Sequence, residues 1–202
     1  MERVLAQRTR YITIVLEDIY QSQNTSAVIR TCECMGLQDV HVIETNSEWS
    51  TNKLVLKGSN KWLNIVRYRK KGHNNTSECF NALRQQGYRI AVTDPAGGTP
   101  IGEVPLDRPL AIVMGNERHG SSDFALKQAD LAVTIPMTGF TESMNISVSA
   151  AICLYTSLSG LRQSEISWQL SEEEKETLRL LWYKKSVRNA EVIEREYLKT
   201  IQ

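Results

Sequence analysis

Residues 110–122 read LAIVMGNERHGSS, and the five apolar residues that begin this stretch end at Gly115. A short apolar run that stops at a turn residue is typical of a strand buried on both faces. Similar runs stand on either side, with YITIVL at 11–16, RIAVT at 89–93 and LAVTI at 131–135. Helix-like stretches separate these runs. The alternation predicts an α/β fold with a mostly parallel sheet that helices cover on both faces.

Further segments extend this pattern. Glycines are expected to end two helices, one over 26–35 before Gly36 and one over 76–86 before Gly87. Further elements are predicted as short strands at 40–43 and 65–68 and as a long helix over 145–161.

The residues after 163 differ in character. Ser171 and Glu174 form an S-x-x-E capping box, which predicts the start of a helix. A second amphipathic helix is predicted over Ala190–Ile201. We therefore divide the chain into an α/β domain, residues 1–163, and a helical C-terminal extension, residues 164–202.

Polar loops follow the strands that end near Thr93, Met114 and Ile135, and they read DPAGGTP, GNERHGSS and PMTGFTESMN. Ligands of parallel α/β sheets bind outside the carboxyl ends of the strands, so these loops predict a ligand site. The chain has no G-x-G-x-x-G, no P-loop, no H-E-x-x-H and no G-x-S-x-G. These absences argue against the usual dinucleotide sites, phosphate loops, zinc peptidases and serine hydrolases.

The composition is that of an ordinary globular protein. Of the 202 residues, 41% are hydrophobic and 23% charged, with a net charge of +1. No apolar run approaches the roughly 20 residues of a membrane span, and no signal-peptide core is present, so a cytoplasmic protein is expected. The four cysteines include a C-x-C pair with no histidine nearby, which indicates buried free thiols rather than a metal site.

Basic residues are concentrated in one segment that contains no acidic residue. Its members are Lys53, Lys57, Lys61, Arg67, Arg69, Lys70 and Lys71. Trp62 and Tyr68 are interleaved with them, and Arg8 and Arg10 add charge near the N-terminus. Basic side chains neutralise phosphates and aromatic rings stack on bases, so this segment favours RNA binding over a merely solvated surface.

A few polar residues adjoin the predicted apolar elements, and each has an ordinary structural interpretation. Asn24 could cap the first long helix, and Arg30 could be a surface charge on it. Ser143 and Asn145 precede the last long helix, where capping is again expected, and Glu117 follows a buried strand. Sequence pattern alone leaves these alternatives open.

Three segments together resemble a known family. NTSAVIRTCECMG at 24–36, LAIVMGNERHGSS at 110–122 and IPMTGFTESMNISVSAAICLY at 135–155 are similar, in order and spacing, to the three motifs of the SpoU (TrmH) family of SPOUT methyltransferases. The resemblance covers roughly residues 11–161. It implies an RNA ribose 2′-O-methyltransferase that uses S-adenosylmethionine, with a C-terminal trefoil knot and a homodimer.

The resemblance also implies site residues. The cofactor, and its product S-adenosylhomocysteine, would contact Thr93, Gly115, Ile135, Ser143 and Met144. The catalytic positions would be Asn24, Arg30, Glu117, Ser143 and Asn145.

Two roles are open for the implied catalytic arginine, Arg30. It either acts as a general base or stays charged and stabilises the emerging alkoxide. Since the resemblance places the active site at the dimer interface, Arg30 would act on cofactor bound largely by the other subunit.

The RNA substrate is less sharply indicated. The helical extension, with Lys184, Lys185 and Arg188, is most like the family member that methylates guanosine 18 in the tRNA D-loop. The alternatives are a ribosomal RNA or tRNA anticodon-loop methyltransferase of the same family, and an inactive RNA-binding protein. The presence of every implied catalytic residue argues against the inactive protein.

Overall fold

A computed structural model describes residues 1–200 and contains a seven-stranded sheet in which the paired strands run parallel. The strands are β1 (Ile12–Glu17), β2 (Asp39–Ile43), β3 (Asn64–Tyr68), β4 (Arg89–Thr93), β5 (Thr99–Pro100), β6 (Leu110–Met114) and β7 (Leu131–Thr134). Their order in the sheet is β3-β2-β1-β6-β4-β7-β5. The predicted parallel α/β fold is confirmed.

Helices lie between and after the strands. They are α1 (Glu2–Leu5), α2 (Ser22–Met35), α3 (Lys53–Leu56), α4 (Asn75–Gln85), α5 (Asp123–Gln128), α6 (Ile146–Gln163), α7 (Glu172–Ser186) and α8 (Ala190–Thr200). Two 3-10 turns, at Ser59–Trp62 and Ile101–Glu103, complete the chain. No helix among residues 1–200 is long and apolar enough to cross a membrane.

The two faces of the sheet carry separate hydrophobic clusters, as alternating side chains require. In β1, Ile14 and Leu16 pack in a cluster that includes residues of α2 and α6, whereas Val15 packs in a cluster with residues of α4 and α5. In β6, Ile112 and Val113 divide in the same way. Helices therefore cover both faces, and the buried central strands need continuous apolar sequence.

The chain divides into two compact units. One is Thr9–Trp168, and the other combines Met1–Arg8 with the residues from Gln169 onward. The first eight residues thus cluster with the C-terminal helices, where the sequence division at 163 had left them in the α/β domain. The reason lies in α1, which packs on α7 with an ion pair of 2.7 Å from Arg179 Nε to Glu2 Oε1.

The predicted helix ends agree well with the structure. Gly36 and Gly87 follow α2 and α4 with positive φ, and the capping box of Ser171 and Glu174 is present. The predicted last helix included Ile201, which lies outside the described residues. Cys34 is exposed, so the expectation that all four cysteines are buried is wrong for this one. The trefoil knot stays a prediction.

Candidate active site

The three predicted loops meet at one edge of the sheet, because β6, β4 and β7 are neighbours in the strand order. Together with residues of α2 and α6 they line a cavity of about 590 Å³. All the residues implied as cofactor contacts line it, namely Thr93, Gly115, Ile135, Ser143 and Met144. The cavity has the size of a small-molecule site.

Glu117, in the loop after β6, binds backbone N–H groups at and just before the N-cap residue of α2. Gln21, the N-cap residue, makes no side-chain capping hydrogen bond. Instead Glu117 Oε2 accepts from the backbone N–H of Tyr20 at 2.9 Å, and Oε1 accepts from that of Gln21 at 3.1 Å. A carboxylate at a helix N-terminus satisfies free N–H groups and interacts favourably with the helix dipole.

Asn24 links this cap to the start of α6. Its Nδ2 donates to Glu117 Oε1 at 2.8 Å, and its Oδ1 accepts from Asn145 Nδ2 at 3.1 Å. Asn24 is buried and lies inside α2, so its interpretation as an N-cap is wrong. Asn145 is the N-cap of α6, and its Oδ1 accepts from Ser147 N at 2.8 Å. A chain of hydrogen bonds therefore joins the three sequence motifs.

These hydrogen bonds set the ionisation of Glu117. Its partial burial alone would raise the pKa of the carboxyl. The hydrogen bonds from Asn24 and from backbone N–H groups outweigh that burial and hold the pKa of Glu117 below its usual value. Glu117 is therefore an anion at neutral pH and acts as an acceptor, not as an acid.

Two glycines, Gly115 at the cavity and Gly98 in the loop after β4, allow main-chain segments to approach closely. A Cβ added at Gly115 would lie 2.1 Å from Ser121 N, and one at Gly98 would lie 2.5 Å from Ala132 O. Neither position accepts a side chain without movement of the backbone. The loop is further fixed by Ser121 Oγ, which donates to Thr93 O at 3.0 Å.

Arg30 is not among the residues that line the cavity. It is exposed on α2, and within residues 1–200 it has no hydrogen bond or ion pair. The structure thus brings Asn24, Glu117, Ser143 and Asn145 to the cavity of one chain and leaves Arg30 outside it.

The predicted RNA-binding residues separate into two groups. Exposed members are Lys53, Lys57, Lys61, Arg69, Lys70 and Lys71. Arg67 is engaged internally, because its Nε and Nη2 each donate at 2.7 Å to the carboxylate of Glu44 while its guanidinium lies over the Trp49 ring. Arg10 is half-exposed and pairs with Asp39 at 2.8 Å.

One basic and one aromatic side chain of the predicted RNA-binding region are engaged within the chain instead. Arg8 is only 1% exposed, with its guanidinium carbon 5.2 Å from the centre of the Trp182 ring, so it is not available to a phosphate. Tyr68 stacks on His41 and hydrogen-bonds to its Nδ1 at 3.1 Å. His41 is buried and Tyr68 is partly buried, so the Tyr68 ring is engaged within the chain, contrary to the expectation that it is free to stack on a base.

Sequence reasoning missed the acidic pair that ends β1. Glu17 is buried and accepts from the hydroxyls of Thr76 at 2.7 Å and Ser122 at 2.8 Å. Asp18 has a φ of 52°, and its Oδ1 accepts from three backbone N–H groups of residues 45–47. Two acidic residues directly after an apolar strand, at the edge where ligands bind, were the available signal.

No group of three or more metal-ligating side chains occurs in the described part of the chain. The polar lining of the cavity includes the amides of Asn24 and Asn145, two carboxylates, Asp94 and Glu117, and the side chains of Arg118 and His119.

The parallel sheet and the cavity at the carboxyl ends of its strands define an α/β protein with a ligand site between three loops. Residues 11–155 match the model of the SpoU rRNA Methylase family. This chain belongs to that family.

Two curated relatives are named tRNA (guanosine(18)-2′-O)-methyltransferase. That of Borreliella burgdorferi is 44% identical over 195 residues, which cover 96% of this chain and 87% of the relative. That of Thermus thermophilus is 32% identical over 156 residues, covering 77% of this chain and 78% of the relative.

Two solved structures superpose on this chain. The TrmH/SpoU tRNA modifying enzyme of A. aeolicus superposes with a TM-score of 0.79 at 26% identity, over 92% of this chain and 94% of that one. The SpoU methyltransferase AviRb of Streptomyces viridochromogenes, crystallised in complex with AdoMet, superposes with a TM-score of 0.65 at 21% identity, over 81% and 62%. The second likeness concerns the fold alone.

Proposed function

We propose that this chain is an S-adenosylmethionine-dependent RNA ribose 2′-O-methyltransferase whose substrate is guanosine 18 in the D-loop of tRNA. The observation that carries the proposal is the hydrogen-bonded chain from Glu117 through Asn24 to Asn145 at the cavity. The names of relatives at 44% and 32% identity favour tRNA over the rRNA in the family's own description.

The cavity suits the proposed cofactor. Apolar side chains, Ile135 and Met144, line it beside the hydroxyl of Ser143 and the main chain at Gly115. Such a wall can hold an adenosine through backbone groups and the aliphatic part of the methionine chain through apolar contacts. When bound, S-adenosylmethionine supplies an electrophilic methyl group on a positively charged sulfur. Thr93, Gly115, Ile135, Ser143 and Met144 would hold it.

The remaining residues would orient the ribose and stabilise charge. A ribose hydroxyl becomes a good nucleophile only as its proton leaves or its developing charge is stabilised. Asn24 would position the ribose, Glu117 would hold the start of α2, and Asn145 with Ser143 would fix the loop before α6. Arg30, supplied by a second subunit, would either take the proton of the hydroxyl as a general base or stay charged and stabilise the emerging alkoxide.

We further propose a homodimer in the cytoplasm, with the knot that the family resemblance implies. Arg30 lies outside the cavity of its own chain, so a second subunit would bring this arginine to the cavity of its partner. The exposed lysines and Arg69 of the 53–71 segment would contact tRNA phosphates.

The proposal is tested by methyl transfer from labelled S-adenosylmethionine to unmodified tRNA transcripts, with the modified nucleotide mapped. The expected product is 2′-O-methylguanosine at position 18 of the D-loop. Arg30→Ala serves as the control: it should bind the cofactor in calorimetry but transfer no methyl group. If the wild-type protein instead methylates ribosomal RNA fragments or the anticodon loop, that RNA is the substrate. If the wild-type protein binds the cofactor but transfers no methyl group to any RNA, an inactive RNA-binding protein is favoured.

A further inference from the structure

An aromatic ring and a guanidinium lie against each other at the rim of the cavity. Tyr20 precedes α2 and is 59% exposed. The guanidinium carbon of Arg118 lies 4.9 Å from the centre of the Tyr20 ring. Arg118 itself lines the cavity and is exposed. The pair therefore presents a flat surface where solvent meets the candidate site.

Contacts within the described chain do not explain why the Tyr20 ring is held at this exposed position. Within residues 1–200 the Tyr20 hydroxyl has no hydrogen bond, and Arg118 is the one cation stacked on the ring. A guanidinium stacked on one face fixes the orientation of the ring and leaves the opposite face to solvent. An exposed aromatic ring with a fixed orientation is the kind of surface on which nucleic-acid bases stack.

Both members of the pair are anchored to the hydrogen-bonded cluster of Glu117 and Asn24. The backbone N–H of Tyr20 donates to Glu117 Oε2 at 2.9 Å, and the other oxygen of that carboxylate accepts from Asn24. Arg118 follows Glu117 directly, and its backbone N–H donates to Asn116 Oδ1 at 2.8 Å. The pair of Tyr20 and Arg118 is thus held by the same carboxylate as the proposed ribose site.

We propose that Tyr20 and Arg118 form a stacking platform for the base of the nucleotide whose ribose is methylated. The base would lie on the face of Tyr20 opposite Arg118, while its ribose reaches the Glu117 and Asn24 cluster. This inference rests on the proposed function and adds the element that captures the unpaired target base. Because every base has a π-face, the platform would strengthen binding without itself selecting guanine.

Tyr20→Leu and Tyr20→Phe test the platform. Leucine keeps an apolar side chain of similar reach but removes the ring, and phenylalanine keeps the ring. From the usual contribution of one base–aromatic stack, kcat/KM for tRNA should fall about 5- to 150-fold in Tyr20→Leu and stay near the wild-type value in Tyr20→Phe. The dissociation constant for tRNA, from fluorescence anisotropy, should weaken in parallel. Cofactor affinity from calorimetry should not change, because Tyr20 does not line the cavity.

The single variants Tyr20→Leu and Arg118→Gln, compared with the double variant, test whether the two side chains act together. Coupled residues give non-additive effects, so the double variant should lose little more tRNA affinity than the worse single variant. Full additivity would separate Arg118 from the platform and overturn its part of the inference.

Two other results would overturn the inference. Wild-type tRNA affinity and kcat/KM in Tyr20→Leu would show that no base stacks there. A change in oligomeric state of Tyr20→Leu in sedimentation would instead assign the ring to a contact between subunits. Failure of the proposed function is distinguishable, because the wild-type protein itself would then transfer no methyl group to tRNA.

Discussion

The carboxylate of Glu117 accepts hydrogen bonds from two backbone N–H groups ahead of α2 and from the side chain of Asn24. Asn24 in turn accepts a hydrogen bond from Asn145, which also caps α6. At the scale of single residues, the site is thus a set of amides organised around one anion. Each of these residues has a structural role in the hydrogen-bonded cluster and a proposed role in the reaction, and suitable substitutions separate the two.

Glu117→Gln should lower the free energy of unfolding at neutral pH by about 1 to 3 kcal/mol, because the helix N-terminus loses its anion and a hydrogen bond. The pKa of Glu117 is depressed in the folded state. Its stabilisation is therefore present above the usual value near 4.5 and is lost as the pH falls through the lowered pKa. Urea unfolding of both proteins should show a difference at about pH 7 that shrinks towards about pH 3.

The control for that experiment is Glu103→Gln, at an exposed carboxylate. It should change neither the stability nor its dependence on pH. A constant difference between wild type and Glu117→Gln across the whole pH range would contradict the role of the charge.

Asn145→Ser should separate capping from bridging. Serine keeps an oxygen that can cap α6 but has no amide to donate to Asn24. Stability should therefore stay within about 1 kcal/mol of wild type, while methyl transfer falls roughly 2- to 10-fold for the lost hydrogen bond. Asn145→Ala, which removes the cap as well, should cost about 1 kcal/mol more in urea unfolding. Full activity of Asn145→Ser would show that the hydrogen bond from Asn145 to Asn24 is not needed for methyl transfer.

At the scale of elements, the cavity depends on how tightly the loop after β6 folds back on itself. Gly115 ends the buried strand, and the main chain at Ser121 passes so close that no Cβ fits between them. Ser122 then caps α5 and hydrogen-bonds to the buried Glu17 at the end of β1. Strand ends, loop and helix start are therefore one connected structure.

Gly115→Ala should destabilise the protein by about 1 to 3 kcal/mol and abolish cofactor binding, because the backbone at 115 or 121 must move. Gly139→Ala is the matched control, since the nearest atom to its added Cβ is Thr141 N at 4.0 Å. Calorimetry with S-adenosylmethionine and urea unfolding measure the two effects. Wild-type cofactor affinity in Gly115→Ala would mean that the close contact does not shape the site.

At the scale of the whole molecule, charge is distributed unevenly although the net charge is only +1. The 53–71 segment presents exposed basic side chains, except for Arg67, which is held by Glu44 and Trp49. Long-range attraction to RNA depends on the exposed charges alone, because a half-buried ion pair is already neutralised.

Lys53→Gln and Lys71→Gln should each weaken tRNA binding and lower the slope of log K against log salt concentration by about 0.7 to 0.9. Neither should change the free energy of unfolding by more than about 0.5 kcal/mol. Arg67→Gln should do the reverse, costing about 1 to 3 kcal/mol of stability because Glu44 loses its partner, with the salt slope unchanged. Binding measured at several salt concentrations, together with urea unfolding, distinguishes the two classes.

Periodicity and turn residues were sufficient to predict the parallel sheet, the helices ended by Gly36 and Gly87, and the loops at the cavity. These features arise from local patterns: continuous apolar runs, glycine at positive φ and polar residues at strand ends. The family resemblance added the candidate residues, and those implied as cofactor contacts do line one cavity.

Only the tertiary structure decided which side chains meet. Asn24 could be a cap by sequence, yet a carboxylate 93 residues away takes that place and leaves Asn24 to bridge two motifs. Arg8 and Tyr68 belonged to basic and aromatic stretches, but Arg8 is buried against Trp182, and the partly buried ring of Tyr68 stacks on His41. The physical reason is the same in each case. Hydrogen bonds and ring contacts form between segments distant in the chain, and sequence spacing carries no information about those distances.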